Sequence, residues 1–210
     1  MNLSKTLNEY FSELSSNSPT PGGGNVSAML GALASSLGTM VCNLTIGKKK
    51  YAEVEQEMIS AKVKLEEFRN TFLQLAEEDN LAFTKVMDAM KLPKESDSDK
   101  QKRSQAIEDA TIGAADVPSK VLKTAKELLP FIRITIDKGN SNSLSDAGVA
   151  ATLITAASQG AYLNVLINCK SMSNQIFAEE IKNRSQILLD EIWQESYLLI
   201  DKTYAKINQQ

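Results

Sequence analysis

The sequence predicts an all-α protein, an up-and-down helical bundle in which two central, buried helices are rich in small residues. Three observations carry this reading. Apolar residues recur at three- and four-residue steps in most of the chain. Two long stretches, 25–46 and 147–169, carry no charge but many Ala, Ser and Gly residues, as expected of helices covered on all sides. Only Ile132, Ile134 and Ile136 alternate as a strand would, and no second strand exists to pair with them. A chain of 210 residues suits one domain, 1–210, with a real core.

The elements follow in order. Leu3, Leu7, Tyr10, Phe11 and Leu14 mark a short amphipathic helix. The loop "SPTPGGG" (18–24) leads into the first charge-free helix, with Ala28, Gly31, Ser35 and Gly38 at close-packing steps. A long amphipathic helix runs from Tyr51 to Met90 through Val54, Met58, Ala61, Leu65, Phe68, Phe72, Leu75, Asp79, Ala82, Val86 and Ala89. Residues 91–99 read as a loop. A helix spans 100–129, and Pro118 is expected to kink or restart it, since proline supplies no N–H and crowds the preceding turn. Residues 130–139 read as a separate short helix ending at Gly139. The second charge-free helix covers 147–169, and a last helix covers 174–204.

Composition narrows the chemistry. The net charge of −3 gives no global attraction to nucleic acid. The chain has no histidine, so His-based triads and the usual zinc sites are excluded, and no metal site is expected. Cys42 and Cys169 lie in apolar runs and read as buried free thiols of a reducing compartment. The N-terminus has no basic-then-apolar leader, which favours a cytoplasmic protein. The charge-free stretches are long enough to span a membrane, but their Ser, Thr, Asn and Gln content favours a soluble bundle.

A few residues break the apolar pattern. Asp79 sits in the apolar stripe between Leu75 and Ala82, where an ionised carboxylate is costly unless paired. A buried hydrogen bond between helices explains it as well as a carboxyl group of raised pKa poised for acid–base work. Asp146 follows Ser143 at capping-box spacing. Asn164 and Asn168 share one helix face and could serve packing or a heterocycle edge. Lys48, Lys49 and Lys50 suit a helix C-terminus or an anionic tail. Gly22, Gly23 and Gly24 let the chain pass close to a ligand or a neighbouring helix. The loop has no phosphate-cradle Lys-Ser/Thr after it.

Together, "SPTPGGG" (18–24), "LTIGKKKY" (44–51), Asp79 with "AFTKVMDAMKLPK" (82–94), "VP" (117–118), "GNSNSLSDAGVAA" (139–151) and "GAYLNVLIN" (160–168) resemble the cyclodeaminase/cyclohydrolase family of folate enzymes over nearly the whole chain. The resemblance implies an all-helical homodimer or higher oligomer acting on a tetrahydrofolate derivative, without a further cofactor. It implies the stand-alone form of a domain that some animals fuse to a formiminotransferase. The leading activity is closure of 5-formiminotetrahydrofolate to 5,10-methenyltetrahydrofolate with release of ammonia. The alternative is cyclohydrolase interconversion of the methenyl and 10-formyl forms, and a non-catalytic helical folate-binding or assembly protein is the competitor of another class.

On this resemblance Asp79 and Asp146 become the catalytic candidates. Pro21, Gly22, Gly23, Gly24, Thr45, Lys48, Lys49, Asn140, Asn164 and Asn168 become the substrate-binding ones, the amides for the pterin edge and the lysines for the glutamate tail. Helix geometry limits any single-chain site. Eighteen residues separate Asp146 from Asn164, about 27 Å along a helix. Either the two ends do different jobs or a two-fold axis joins one chain's Asp146 to the other's Asn164.

Overall fold

In the computed structural model, which describes residues 5–209, six α-helices follow one another and no strand occurs among the described residues. They are α1 Leu7–Leu14, α2 Gly23–Thr45, α3 Glu55–Met90, α4 Asp97–Lys138, α5 Leu144–Lys170 and α6 Gln175–Asn208. Short 3-10 turns at Lys49–Val54 and Ser141–Ser143 lead into α3 and α5. Leu3 of the expected first stripe lies outside the described residues.

α2 packs on α3, α4 and α5, and α5 packs on α2, α4 and α6. The small residues of α2 permit the close approach: a Cβ on Gly31 would run into the ring of Phe72 on α3. Phe72 is wholly buried, and truncating such a ring to Ala costs about 3–5 kcal/mol. The predicted stripe of α3 is the buried one, with Met58, Ala61, Leu65, Phe72, Leu75, Ala82 and Ala89 inside. Cys42 and Cys169 are buried and unbridged, and burial pushes the Cys42 thiol up to about 11.

Four local expectations change. α4 is a single helix through both Pro118 and Pro130, not two. Each interior proline costs about 3 kcal/mol, but the segments flanking Pro118 bury Ala114, Val117, Val121 and Leu122, and this packing holds the helix in line. The same packing decides the Ile132–Ile136 ambiguity, because Ile132 and Ile136 are both core residues of α4. The helix begins at Asp97, where Ser96 and Asp99 form a reciprocal capping box. Ser143 makes no such box with Asp146. Its hydroxyl donates to the Asn140 carbonyl at 3.1 Å, and no side chain caps α5. Tyr51 lies in the 3-10 turn before α3 rather than in its first turn.

Candidate active site

The glycine loop ends as α2 begins. The Thr20–Pro21 peptide is cis, and Pro21 is buried. Gly22 occupies the N-cap position and has no side chain to satisfy the first N–H groups of the helix. Asp79, reaching across from α3, takes that role: its carboxylate accepts the Asn25 N–H. A Cβ on Gly24 would overlap that carboxylate, and one on Gly23 would stand 3.3 Å from Asn164 Nδ2. The glycine run does hold an anion, and the anion is the chain's own Asp79.

Two forces oppose each other at this carboxyl group. Burial raises its pKa above the ordinary value, and the Asn25 N–H at the positive end of α2 lowers it; burial is the larger. The result is a half-buried carboxylate facing a cleft of about 250 Å3. Thr20, Gly22, Gly23 and Gly24 form one wall and Ala82, Phe83 and Val86 another, and Asn164, Ile167 and Asn168 of α5 complete the cleft. Asn164 Nδ2 donates to the Gly160 carbonyl at 2.8 Å, and Asn168 Nδ2 to the Ala114 carbonyl of α4 at 2.9 Å. Their Oδ1 atoms accept no hydrogen bond among the described residues. No lysine or arginine lines the cleft.

The other candidates stand at the far end of α2. Its 23 residues put that end about 33 Å away. There Asn140 is fully engaged by its own chain. Its N–H donates to Thr45 Oγ1 at 2.8 Å and its Nδ2 to the Leu44 carbonyl at 2.8 Å, and its Oδ1 accepts the Asn142 N–H. The Thr45 hydroxyl donates to the Val41 carbonyl. Tyr51 Oη accepts the Ser141 N–H at 2.9 Å, with Lys50 Nζ 5.3 Å from its ring centre. The Ser141 bonds pull the Tyr51 phenol below its usual range. Lys48 and Lys49 are exposed and form no ion pair among the described residues. Asp146, half-buried in the first turn of α5, belongs to this end.

The structure therefore joins Gly22, Gly23, Gly24, Asp79, Asn164 and Asn168 at one end, whereas Pro21, expected with them, lines the pocket behind, beside Tyr10 and Asn25. It gathers Thr45, Lys48, Lys49, Asn140 and Asp146 at the other. Sequence reasoning passed over Tyr10 and Asn25, which lie behind Asp79, and Tyr51 at the lysine end. The signal for Asn25 was an amide in the first turn of a charge-free helix. Tyr10 and Tyr51 looked like ordinary members of apolar stripes. No group of three or more Asp, Glu or Cys side chains among the described residues could hold a metal ion.

The chain matches the family model described as formiminotransferase-cyclodeaminase over residues 6–186. It is 38% identical to a methenyltetrahydrofolate cyclohydrolase of Methylorubrum extorquens, over 97% of this chain and 98% of that one. It is 30% identical to the formimidoyltransferase-cyclodeaminase of Rattus norvegicus, again over 97% of this chain but only 38% of the rat protein. Its fold matches the crystal structure of a formiminotetrahydrofolate cyclodeaminase from Thermotoga maritima with a TM-score of 0.79 and 33% identity, covering 94% of this chain and 96% of that one. By sequence and by fold, the chain belongs to the formiminotransferase-cyclodeaminase family.

Proposed function

We propose that the chain is a folate one-carbon enzyme, a formiminotetrahydrofolate cyclodeaminase that uses Asp79 as its acid–base group. The observation that carries this is the half-buried Asp79 carboxylate in a cleft flanked by two amides. Ring closure requires N10 to attack the formimino carbon. With the formimino group entering in its protonated C=NH2+ form, Asp79 takes the N10 proton as the N10–carbon bond forms, then delivers it to the amine as the carbon–nitrogen bond breaks and ammonia leaves. One carboxyl group performs both steps when its pKa is raised toward neutrality. Its negative charge also favours the cationic methenyl product. The free Oδ1 atoms of Asn164 and Asn168 suit the donor groups of the pterin edge.

The cleft lacks a cation for the anionic glutamate tail, and the exposed Lys48 and Lys49 lie about 33 Å away along α2. A second copy of the chain resolves this. Leu33, Met40 and Leu44 on α2, and Val149, Leu163 and Ile167 on α5, are all more than a third exposed and fall on one stripe of each helix. Neither helix carries a charge between Gly24 and Ile46 or between Ala147 and Cys169. Uncharged apolar stripes exposed side by side mark an interface. In an isologous dimer, a two-fold axis across the middle of these stripes reverses the ends. The lysine end of one protomer then completes the Asp79 cleft of the other, with α2 and α5 as the central pair of the dimer. Both helices also meet the length and hydropathy expected of a membrane span. A detergent-independent dimer that retains activity would exclude lipid as the occupant.

Cyclohydrolase activity is the second reading, favoured by the full-length similarity to the M. extorquens enzyme. It needs the same carboxylate, with water in place of the amine. The deciding experiment follows the methenyl chromophore. A rise with 5-formiminotetrahydrofolate, matched by ammonia, establishes the cyclodeaminase. A fall with 5,10-methenyltetrahydrofolate alone establishes the cyclohydrolase. A folded dimer silent with both would be a binding or assembly protein.

A further inference from the structure

We propose that Asn25 and Tyr10 are positioning residues for Asp79, so that the N-terminal helix α1 belongs to the catalytic apparatus. This rests on the acid–base reading of Asp79 given above. Asn25 is completely buried and holds Asp79 in two ways. Its main-chain N–H donates to the carboxylate. Its side-chain Nδ2 donates to the Ala76 carbonyl at 2.7 Å, one turn before Asp79 on the same helix. One residue thus fixes both the carboxylate and the helix that carries it.

The carboxamide is itself held by Tyr10, whose hydroxyl donates to Asn25 Oδ1 at 2.9 Å. Tyr10 is the buried residue of α1. Burial raises its pKa, so the phenol stays protonated and donates. The two bonds use both ends of the amide and fix its orientation. A packed hydrogen-bond chain therefore runs from α1 through Asn25 to the turn of α3 that carries Asp79. The pocket behind this chain carries Lys5, Glu13 and Glu77. The cleft in front holds no charged side chain besides Asp79. Outward along α3 lie Glu78 and Lys85, and none of these charges is among the causes of the Asp79 shift.

The test is Tyr10→Phe, which removes one oxygen atom, with Asn25→Ala as the stronger variant. Each is read by steady-state kinetics, by the pH–rate profile and, without substrate, by carbon NMR titration of the Asp79 carboxyl in aspartate-labelled protein. Tyr10→Phe is expected to lower kcat about tenfold with KM within twofold of wild type. Loosening the Asn25 N–H removes the one pKa-lowering contact, so the Asp79 titration and the acid limb of the profile both move upward in pH. Asn25→Ala moves them further in the same direction. Both variants with wild-type kcat and an unmoved Asp79 titration would overturn the proposal, even if they melted earlier. If the parent protein turns over neither folate, the functional reading fails, and the Asp79 titration alone decides whether Tyr10 and Asn25 set the carboxyl group.

Discussion

The two ends of the α2–α5 pair are built by opposite means. At the glycine end, the missing side chain of Gly24 lets a carboxylate from another helix come up against the backbone of α2. At the lysine end, Thr45, Asn140, Ser141 and Tyr51 tie three chain segments together with hydrogen bonds, and Lys48 and Lys49 stand outside that lattice. The first end removes bulk to create an environment in which a proton can be exchanged. The second spends its polar groups on rigidity and leaves Lys48 and Lys49 exposed. Chemistry at one end and tail binding at the other is the division of labour that the proposed function assigns to this contrast.

The sharpest break of the contrast is Asp79→Asn. Turnover should fall about a thousandfold, the scale of a lost acid–base group, with the fold intact. The stability effect has a definite sign. Burial raises the folded-state pKa of Asp79, so the folded protein binds this proton more tightly than the unfolded chain does. Ionised Asp79 therefore weakens the fold as pH rises from the ordinary 3.8 through its raised pKa, and the stability is fully present only below the ordinary value. The neutral Asn variant should melt no earlier than wild type at pH 7. By the same sign, wild-type turnover should fall on acidification through a limb lying above the ordinary 3.8. Wild-type rates from the Asn variant would end the assignment.

Gly24→Ala attacks the same end without replacing a titratable group. The new Cβ displaces the carboxylate, and a shift of about 1 Å is expected to cost about a hundredfold in kcat. Leu33→Glu attacks the link between the ends. A charge in the middle of the uncharged stripe should give a helical monomer by sedimentation, with kcat/KM reduced about a hundredfold because binding and chemistry are separated. An active monomer would place the whole site in one chain. The smallest effect belongs to the lysine end. Lys48→Ala with Lys49→Ala should raise KM for a polyglutamylated substrate by about three- to tenfold, with kcat unchanged. Moderate salt should abolish the difference, because exposed charges are screened. A matching fall in kcat would mean that the lysines take part in the chemistry.

The sequence alone determined the helical class, the stripe of α3, the buried thiols and the anomaly at Asp79. These depend on local periodicity and on the high cost of placing a charge in an apolar face, and both can be read from spacing. Only the tertiary structure decided that α4 runs through Pro118 and Pro130, because the burial on either side that offsets a missing backbone bond involves residues distant in sequence. It also decided that Ser143 turns back to Asn140 rather than capping α5, and that Thr45 and Asn140 spend their polar groups on each other. Asn25 and Tyr10 belong to the same category. An amide in a charge-free helix and a phenol in an apolar stripe acquire meaning only when folding brings them behind Asp79, since a hydrogen bond depends on distance and direction that spacing along a chain does not supply.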